Sequence, residues 1–290
     1  MIAPLDWGLG HISRTIPLIE LLHERGHEVI TCGNKISNNI YKKEFPEIKH
    51  IEIQGYKPYY SKNRSQKWAL IKQIPKFIKT IYSERKIAEE ISFEEKADII
   101  ISDNRFGFRS SKTLNIYITH QLKIKGPLLL IKIVNQINRL FIQNFDHCWV
   151  PDFENSMLSG ELSQSGLEKT FIGPLTRFKK TVSKAKKYKF KYLAIISGLE
   201  PQRSLLEDEI QNCFRETNQH CAIINGLTST KETSSEKISF YPHLETTAFK
   251  ELLTKSELVI CRSGYSSIMD LYILQKKVLF IPTPGQTEQE

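Results

Sequence analysis

Short apolar segments alternate with longer segments of helical periodicity along most of this 290-residue chain. Most of the apolar segments end in polar residues, which is typical of strands buried in a sheet. The predicted strands are residues 2–5, 28–32, 49–53, 97–102, 115–119, 147–150, 192–197, 221–225, 238–241, 258–261 and 278–281. The predicted helices are residues 12–25, 66–90, 126–145, 203–216 and 265–274.

The strands and helices form two alternating series, as consecutive βαβ units do. Gly26 follows the first helix, where a glycine commonly ends one, and Pro75 is expected to kink or interrupt the second. A lysine-rich stretch at residues 179–191 separates the two series. The pattern therefore predicts an α/β protein of two Rossmann-like domains, residues 1–178 and 179–290.

Composition is that of an intracellular globular protein. Five cysteines are scattered without a CxxC pair, which favours reduced thiols over a disulfide framework or a zinc site. The N-terminus lacks the basic and apolar regions of a signal peptide. The most apolar stretch, residues 126–145, contains Lys132 and Arg139 and is not expected to span a bilayer. We therefore expect a cytoplasmic protein.

The net charge of +9 is concentrated in the first half of the chain. Residues 1–150 contain 23 lysines and arginines against 15 acids, whereas residues 151–290 contain 18 against 17. Seven cations and no acid lie between Glu52 and Glu84, interleaved with aromatic residues. Such a surface, residues 57–85, can lie on an anionic membrane or hold an acidic acceptor, and a solvated charged face is an equal alternative. No nucleic-acid module is visible, so no nucleic-acid partner is expected.

The first loop follows a strand with two glycines, Gly8 and Gly10, and then His11. A dinucleotide fingerprint would place its third glycine at Ser13, and no acid ends the second strand, so NAD and FAD are not expected. A histidine at the mouth of a sheet can remove a proton from a hydroxyl near neutral pH. The alternative is that His11 only hydrogen-bonds within its own loop.

Two loops of the second half turn through small residues into a helix, at Ser197-Gly198 and at Ser263-Gly264. The N-terminus of a helix presents backbone N–H groups and a positive dipole end, which suits a diphosphate. Asp270 follows one to two turns into the second of these helices, where it could reach sugar hydroxyls. These loops indicate a nucleotide-sugar site.

These motifs occur in the order of a known family along nearly the whole chain. They are Gly8-Leu9-Gly10-His11, Gly173-Pro174 with Arg177, Ser197-Gly198, Arg262-Ser263-Gly264 with Asp270, and Pro282 with Gln286 and Gln289. The set resembles the glycosyltransferase family 28 group, which is best known from the MurG-type transferases of bacterial cell-wall synthesis. Two further segments, ISDNR at residues 101–105 and THQL at residues 119–122, resemble uncharacterised family-28-like proteins.

The resemblance implies a GT-B fold, in which two Rossmann-like domains face a cleft, and it implies roles for individual residues. Arg177 and Ser197 would contact the donor diphosphate, Asp270 the ribose and Gln289 the donor sugar. The full set of implied donor contacts is Arg177, Ser197, Gly198, Arg262, Ser263, Gly264, Ser267, Asp270, Gln286 and Gln289. His243 and Leu244 would lie along the edge of the base.

The acceptor side is implied to lie in the first domain. Its residues would be Gly8, Gly10, Asn104, Arg105, His120 and Gln121. The general base would be His11 or, second, Asp103. For Asp103 the alternative is that the Asp-Asn pair at the end of its strand caps a turn.

The reaction implied is inverting, metal-independent transfer of a sugar from a nucleoside diphosphate, expected to be UDP as in UDP-GlcNAc, to a hydroxyl of a glycan or lipid-linked acceptor. No cofactor beyond the donor is expected. A nucleotide-sugar 2-epimerase of the same fold and a non-catalytic UDP-sugar-binding module are the alternatives. Compared with the family, the chain is shortened at both ends, so its C-terminal domain is expected to be incomplete. The enzyme would be cytoplasmic and peripheral on the inner face of the membrane.

Overall fold

The structure, a computed structural model, describes residues 1–6, 9–53, 55, 66–126, 128–178, 188–198, 200–226, 233–235, 237–286 and 288–289, without the side chains of 66–74 and 128–130. The chain forms two compact units, Met1–Leu175 and Thr176–Glu290. Most of the connector predicted at residues 179–191 lies outside the described residues. Each unit is an α/β layer structure, which confirms the predicted fold class.

The first unit is built on a seven-stranded sheet. Its strands are β1 (Ile2–Pro4), β2 (Ile30–Gly33), β3 (Lys49–Glu52), β4 (Ile99–Asp103), β5 (Leu114–Ile118), β6 (His147–Val150) and β7 (Thr170–Phe171). The order across the sheet is β3-β2-β1-β4-β5-β6-β7, and each neighbouring pair is parallel. The residues of β1 and β2 are buried, as expected where helices cover a parallel sheet.

Helices connect these strands. They are α1 (Leu9–Glu24), α2 (Lys35–Glu44), α3 (Gln66–Glu94) and α4 (Leu128–Ile142), with a short 3-10 helix at Gly160–Ser163. The apolar stripe of α1, including Ile12, Ile16 and Ile19, packs in one core with Ile101 and Ile118 of the sheet. α3 continues through Pro75, so the interruption considered from the sequence does not occur.

The second unit contains a six-stranded sheet. Its strands are β8 (Phe190–Ile195), β9 (Cys221–Ile224), β10 (Thr233–Ser234), β11 (Ile238–Tyr241), β12 (Ser256–Cys261) and β13 (Lys277–Phe280). The order is β10-β11-β9-β8-β12-β13, with only the β10–β11 pair antiparallel. Its helices are α5 (Gln202–Glu216), α6 (Thr246–Thr254) and α7 (Tyr265–Ile273).

Each sheet contains one point where the strand order reverses. In the first unit it lies between β1 and β4, with Pro4 opposite Asp103. In the second it lies between β8 and β12, with Ile195 opposite Cys261. In open parallel sheets the connections leave such a point in opposite directions, which opens a crevice outside the carboxyl ends of the two strands. The loops after these strands are therefore the places to look for a site.

Candidate active site

The reversal point of the first sheet brings two separate motifs together. His11 lies in the first turn of α1, directly after β1, and Asp103 is the last residue of β4. Because β1 and β4 are neighbours, His11 Nδ1 lies 3.1 Å from Asp103 Oδ2 although 92 positions separate them in sequence. The two residues that the sequence offered as alternative bases therefore form one pair.

Arg14 completes this pair into a buried cluster. Its Nε donates to Asp103 Oδ2 at 2.8 Å, and its Nη2 donates to Asp103 Oδ1. The side chains of Arg14 and Asp103 are 2% and 0% exposed, whereas that of His11 is 16% exposed. The imidazole is the member of the cluster that solvent or a substrate can reach.

His11 Nδ1 has two possible partners, and they require different tautomers. Asp103 needs a protonated Nδ1 that donates, whereas Arg14 Nη2, 2.8 Å away, needs an unprotonated Nδ1 that accepts. Arg14 already donates to both carboxylate oxygens of Asp103. The Nδ1–H tautomer gives the carboxylate a third donor and leaves Nε2 with the lone pair that a general base uses, whereas the Nε2–H tautomer makes Nδ1 an acceptor for Arg14.

The charges of the cluster fix its protonation near neutral pH. Burial alone would raise the pKa of Asp103, but Arg14 and His11 outweigh it and lower that pKa to about 2. Burial, together with Arg14, lowers the pKa of His11 below its usual value against the opposing effect of Asp103. At pH 7 the pair is therefore a carboxylate beside a neutral imidazole.

Four other residues expected on the acceptor side have defined positions. The carbonyl of Gly10 accepts from Ser13 Oγ, and Asn104 adopts a left-handed φ of 58° directly after β4. His120 Nδ1 lies 3.5 Å from Arg14 Nη1, and burial lowers the pKa of His120 well below its usual value. The N–H of Gln121 donates to Thr119 Oγ1. Gly8 lies outside the described residues.

Arg105, also expected on the acceptor side, is fully buried. Its Nη2 pairs with Glu84 Oε1 at 2.9 Å, its Nη1 lies 3.4 Å from Asp6 Oδ2, and Nη1 also donates to the carbonyl of Pro4 at 3.2 Å. Since the side chain is 0% exposed, no part of the guanidinium faces solvent. Through these contacts Arg105 connects the loop after β4 to β1 and α3.

The reversal point of the second sheet carries the two small-residue loops. Ser197 and Gly198 follow β8, and Gly198 has a φ of 110°, which favours glycine. Gly264 is the N-cap of α7 and supplies no side chain to cap its first N–H groups. Ser263 and Ser267 are both partly exposed on either side of this N-cap. These loops have the backbone geometry that suits a phosphate group.

Asp270 lies on α7, where it contacts the start of the second unit. Thr176 Oγ1 donates to Asp270 Oδ1 at 2.6 Å. Burial raises the pKa of Asp270 to about 6, while the charge of Arg177 and the Thr176 hydrogen bond act in the opposite direction. The guanidinium carbon of Arg177 lies 4.7 Å from the centroid of the Phe249 ring, which holds the cation near this carboxyl. Thr176, Arg177 and Asp270 thus form one cluster.

Hydrogen bonds connect Arg262 and Ser263 to the loop after β13 that contains Gln286 and Gln289, here called the glutamine loop. The guanidinium of Arg262, an expected donor contact, donates to the carbonyls of Pro282 at 2.8 Å and Gln202 at 3.1 Å. Gln289 Oε1 accepts from the N–H of Thr283 at 2.9 Å, and Gln289 Nε2 donates to Gln286. The carbonyl of Gln289 also accepts from the expected donor contact Ser263, at 3.0 Å. These bonds fix the shape of the loop that follows β13.

The expected base-edge residues, His243 and Leu244, lie between β11 and α6 and are partly exposed. Leu244 packs against the core of its unit.

Two members of these clusters were not found from the sequence. Arg14 stands three residues after His11 on α1, a spacing that puts both on one face of a helix, so a polar pair at this spacing was a usable signal. Thr176 precedes Arg177 in a loop and gave no signal of its own. Its role depends on the approach of α7, which a local pattern does not report.

Among the residues that the structure describes, no group of three or more His, Cys, Asp or Glu side chains is placed to hold a metal ion. In the same residues, none of the helices combines the length and the apolar character that a membrane-spanning segment needs.

Comparison with known proteins gives concordant results. Residues 193–290 match the model of the glycosyltransferase family 28 C-terminal domain. An "uncharacterized glycosyltransferase" of Methanosarcina acetivorans is 25% identical, with 98% of this chain and 77% of the relative covered. The UDP-N-acetylglucosamine–N-acetylmuramyl-(pentapeptide) pyrophosphoryl-undecaprenol N-acetylglucosamine transferase of a Sulfurihydrogenibium species is 22% identical over 95% of this chain and 75% of the relative.

Solved structures show the same fold. MurG of Acinetobacter baumannii superposes with a TM-score of 0.55 at 12% identity, covering 100% of this chain and 79% of that one. A spinosyn rhamnosyltransferase complexed with thymidine diphosphate gives 0.64 at 11% identity, covering 99% and 82%. The fold is therefore that of the GT-B glycosyltransferases. Residues 193–290 are therefore similar to the family 28 C-terminal domain, and the chain as a whole is similar in sequence to glycosyltransferases.

Proposed function

We propose that this glycosyltransferase moves a sugar from a UDP-sugar, with UDP-GlcNAc as the first candidate, to a hydroxyl of a glycan or lipid-linked acceptor, with inversion at the anomeric carbon. The observation that carries the proposal is the partly exposed His11 held against the buried carboxylate of Asp103. A neutral imidazole oriented by a carboxylate is the arrangement that a general base requires.

The chemical step is a single displacement. His11 Nε2 takes the proton of the acceptor hydroxyl while the acceptor oxygen forms its bond to the anomeric carbon. The bond from that carbon to the diphosphate oxygen breaks, and its electron pair leaves with the nucleoside diphosphate. Asp103 stabilises the imidazolium that forms, and base catalysis of this kind contributes about 10²–10⁴-fold to the rate.

The second unit supplies the groups that would stabilise the leaving diphosphate. The N-terminus of α7, capped only by backbone at Gly264, offers N–H donors and a positive dipole end. Arg177 adds a fixed cation close to Asp270. Because donors that are already oriented need no reorganisation during the reaction, they can offset the charge of the leaving group without a metal ion. The proposal therefore includes metal-independent turnover.

The roles proposed for the remaining donor contacts follow from their positions. Asp270 would accept hydrogen bonds from the ribose, and the glutamine loop would contact the sugar. Arg262 would act on the donor indirectly, because it joins the carbonyls of Pro282 and Gln202 and so positions the loops on both sides of α7.

We further propose that the basic surface of residues 57–85 lies on an anionic membrane at the inner face. Within its described part, Lys79 and Tyr82 are exposed, Tyr82 to 72%. A cationic surface near aromatic side chains favours anionic headgroups, which would bring a lipid-linked acceptor to the enzyme.

The test is release of nucleoside diphosphate from a panel of UDP- and TDP-sugars, with lipid and glycan extracts as acceptors, in the presence of a metal chelator. We expect acceptor-dependent release from a UDP-sugar, and His11→Gln should reduce it by about 10²–10⁴-fold while donor binding is retained. Donor binding without release would instead indicate a binding module, and epimerisation without acceptor would indicate an epimerase. Loss of donor binding in His11→Gln would refute the role given to His11.

A further inference from the structure

Three consecutive residues at the start of the second unit connect this part of the chain to α6 and α7. Phe178 is buried in the core of the unit, where its ring stacks on Phe249 of α6 at a centroid distance of 5.9 Å. The guanidinium carbon of Arg177 lies 4.7 Å from the centroid of the same Phe249 ring. Thr176 Oγ1 donates to Asp270 Oδ1 of α7 at 2.6 Å. The aromatic contacts therefore hold in place a short segment whose first member reaches Asp270.

The direction of the hydrogen bond between Thr176 and Asp270 is set by a second partner. The N–H of Phe178 donates to Thr176 Oγ1 at 3.2 Å. A hydroxyl has one proton to donate, and an N–H cannot accept it. The proton of Thr176 is therefore directed at Oδ1 of Asp270. From the residues that the structure describes, no hydrogen bond reaches the other oxygen, Oδ2.

Asp270 depends on this donor because little water reaches it. The residue is 8% exposed, and burial raises the pKa of its carboxyl to about 6 against the charge of Arg177 and the hydrogen bond from Thr176. At pH 7 a carboxyl with this pKa is ionised by only about ten to one. Loss of the Thr176 hydroxyl would raise the pKa further. A protonated carboxyl has fewer sites that accept a hydrogen bond than a carboxylate has.

The state of this carboxyl matters for a nucleoside. A ribose presents two neighbouring hydroxyls that donate hydrogen bonds, whereas a 2′-deoxyribose presents one. Hydrogen bonds to an ionised acceptor are stronger than those to a neutral one. Because Thr176 holds Oδ1, the carboxylate of Asp270 has a fixed orientation, and a fixed acceptor loses less conformational freedom when a ligand binds. The hydroxyl of Thr176 thus prepares the carboxylate for a diol.

We propose that Thr176 is a positioning residue of the donor site, which fixes the carboxylate of Asp270 for the two ribose hydroxyls and so selects a ribonucleotide over a 2′-deoxyribonucleotide. The inference rests on the ribose contact proposed for Asp270 and adds the residue that prepares this contact. Thr176 acts through Asp270 and does not itself touch the donor. Its effect on affinity should therefore depend on the 2′-hydroxyl of the ligand.

The experiment is calorimetric titration of the full chain with UDP and with 2′-deoxy-UDP at pH 7. The two ligands carry the same base and diphosphate, so the ratio of their dissociation constants isolates the 2′-hydroxyl. Thr176→Val removes the hydroxyl and keeps a branched side chain, whereas Thr176→Ser, the matched control, keeps the hydroxyl. Asp270→Asn and the double variant with Thr176→Val and Asp270→Asn complete a cycle.

We expect wild type to bind UDP about 10–100-fold more tightly than 2′-deoxy-UDP, as for a hydrogen bond to a charged group. Thr176→Val should lower this ratio by about fivefold or more, and Thr176→Ser should keep it within about twofold of wild type. The ratio should also be low in Asp270→Asn, and addition of Thr176→Val should not lower it again, because both substitutions act on one contact.

A purely structural role of Thr176 would weaken both ligands alike, so a ratio in Thr176→Val equal to that of wild type would overturn the proposal. Equal affinity of wild type for the two ligands would also overturn it. The same holds for a further fall of the ratio when Thr176→Val is added to Asp270→Asn. Circular dichroism checks the folding of each variant, and Thr176→Ala, which also removes the hydroxyl, replaces Thr176→Val if the latter does not fold.

Transfer assays on the same preparations separate this proposal from the proposed function. Transfer from a UDP-sugar, with the same ratio in wild type and Thr176→Val, would refute the role of Thr176 alone. The expected ratios without transfer from any UDP-sugar would refute the transferase proposal and leave Thr176 as the positioning residue of a nucleotide site. Wild type that binds neither nucleotide would refute both.

Discussion

The pH dependence of transfer should move in opposite directions when the two charges beside His11 are removed one at a time. Asp103 Oδ2 lies 3.1 Å and Arg14 Nη2 lies 2.8 Å from His11 Nδ1, so the imidazole has one charge of each sign at similar distance. Each charge alone would shift the pKa of the imidazole by about one to three pH units, or roughly 1.4–4 kcal/mol, and the two effects largely cancel. Burial then leaves the pKa of His11 below its usual value.

Asp103→Asn removes the negative charge and Arg14→Gln removes the positive one. A charge at this distance shifts a pKa by about one to three pH units. The acidic limb of the pH–rate profile, which reports the pKa of His11, should therefore move to lower pH by that amount in Asp103→Asn and to higher pH in Arg14→Gln. Arg14→Lys keeps the charge and is the matched control, whose limb should stay near that of wild type. The assay is release of nucleoside diphosphate at saturating acceptor between pH 4 and pH 9, values that bracket the usual pKa of about 6.5 for histidine.

Stability must be followed in the same variants. Each neutralising substitution leaves a buried charge without its partner, which costs about 3–5 kcal/mol, so circular dichroism at each pH is needed to show that the protein is folded. If the acidic limbs of the two neutralising variants shift in the same direction, or if neither shifts from its wild-type position, His11 is not the base.

Three further predictions concern single residues. Asp270→Asn should make the free energy of unfolding less dependent on pH between about pH 4 and pH 6. The raised pKa of the Asp270 carboxyl means that folded wild type binds more protons than unfolded wild type in this range, so wild type loses stability as pH rises. A difference in denaturation midpoint between variant and wild type that is the same at about pH 4 and at about pH 6 would contradict this. Gly107→Ala should destabilise the first unit by about 1–3 kcal/mol in thermal unfolding, since an added Cβ would lie 2.3 Å from the backbone oxygen of Ile81. The control is Gly166→Ala, whose Cβ would have no atom within 4 Å and which should leave stability unchanged. Arg262→Gln should raise the KM for the donor more than it lowers kcat, because it loosens loops without removing a reacting group, and steady-state kinetics would show the reverse if Arg262 acted in the chemical step.

Much of the fold follows from the sequence because buried parallel strands leave strong local patterns. Each of the strands predicted as an apolar segment corresponds to a strand of the structure. The omissions are the helices α2 and α6 and short edge strands. α2 has few apolar residues, and its start is set by Asn34, whose Oδ1 accepts from the N–H groups of Ile36 and Ser37 at 2.9 Å. An N-cap asparagine after a strand was a usable signal for it.

The site was predictable by residue but not by arrangement. His11 and Asp103 belong to separate loops, and each alone had an ordinary structural explanation. What joins them is the adjacency of β1 and β4, a property of strand order that no local pattern contains. The turn explanation for Asp103 also falls short, because its carboxylate is occupied by Arg14 and His11. Topology therefore brings the two candidate bases together as one hydrogen-bonded pair.

The arginines show why a family motif alone does not assign contacts. A guanidinium offers five N–H donors whether it meets a phosphate or a backbone carbonyl, so the residue type is the same in both cases. In Arg14 those donors meet a carboxylate, in Arg105 a buried acid pair, and in Arg262 the carbonyls of neighbouring loops. Arg177, by contrast, stacks on an aromatic ring beside a carboxyl whose pKa is raised by burial. The guanidinium of Arg177 thus lies between an aromatic ring and a carboxyl, whereas that of Arg262 donates to backbone carbonyls and so positions two loops. Of these four, Arg177 is the arginine that we propose as the contact of the donor diphosphate.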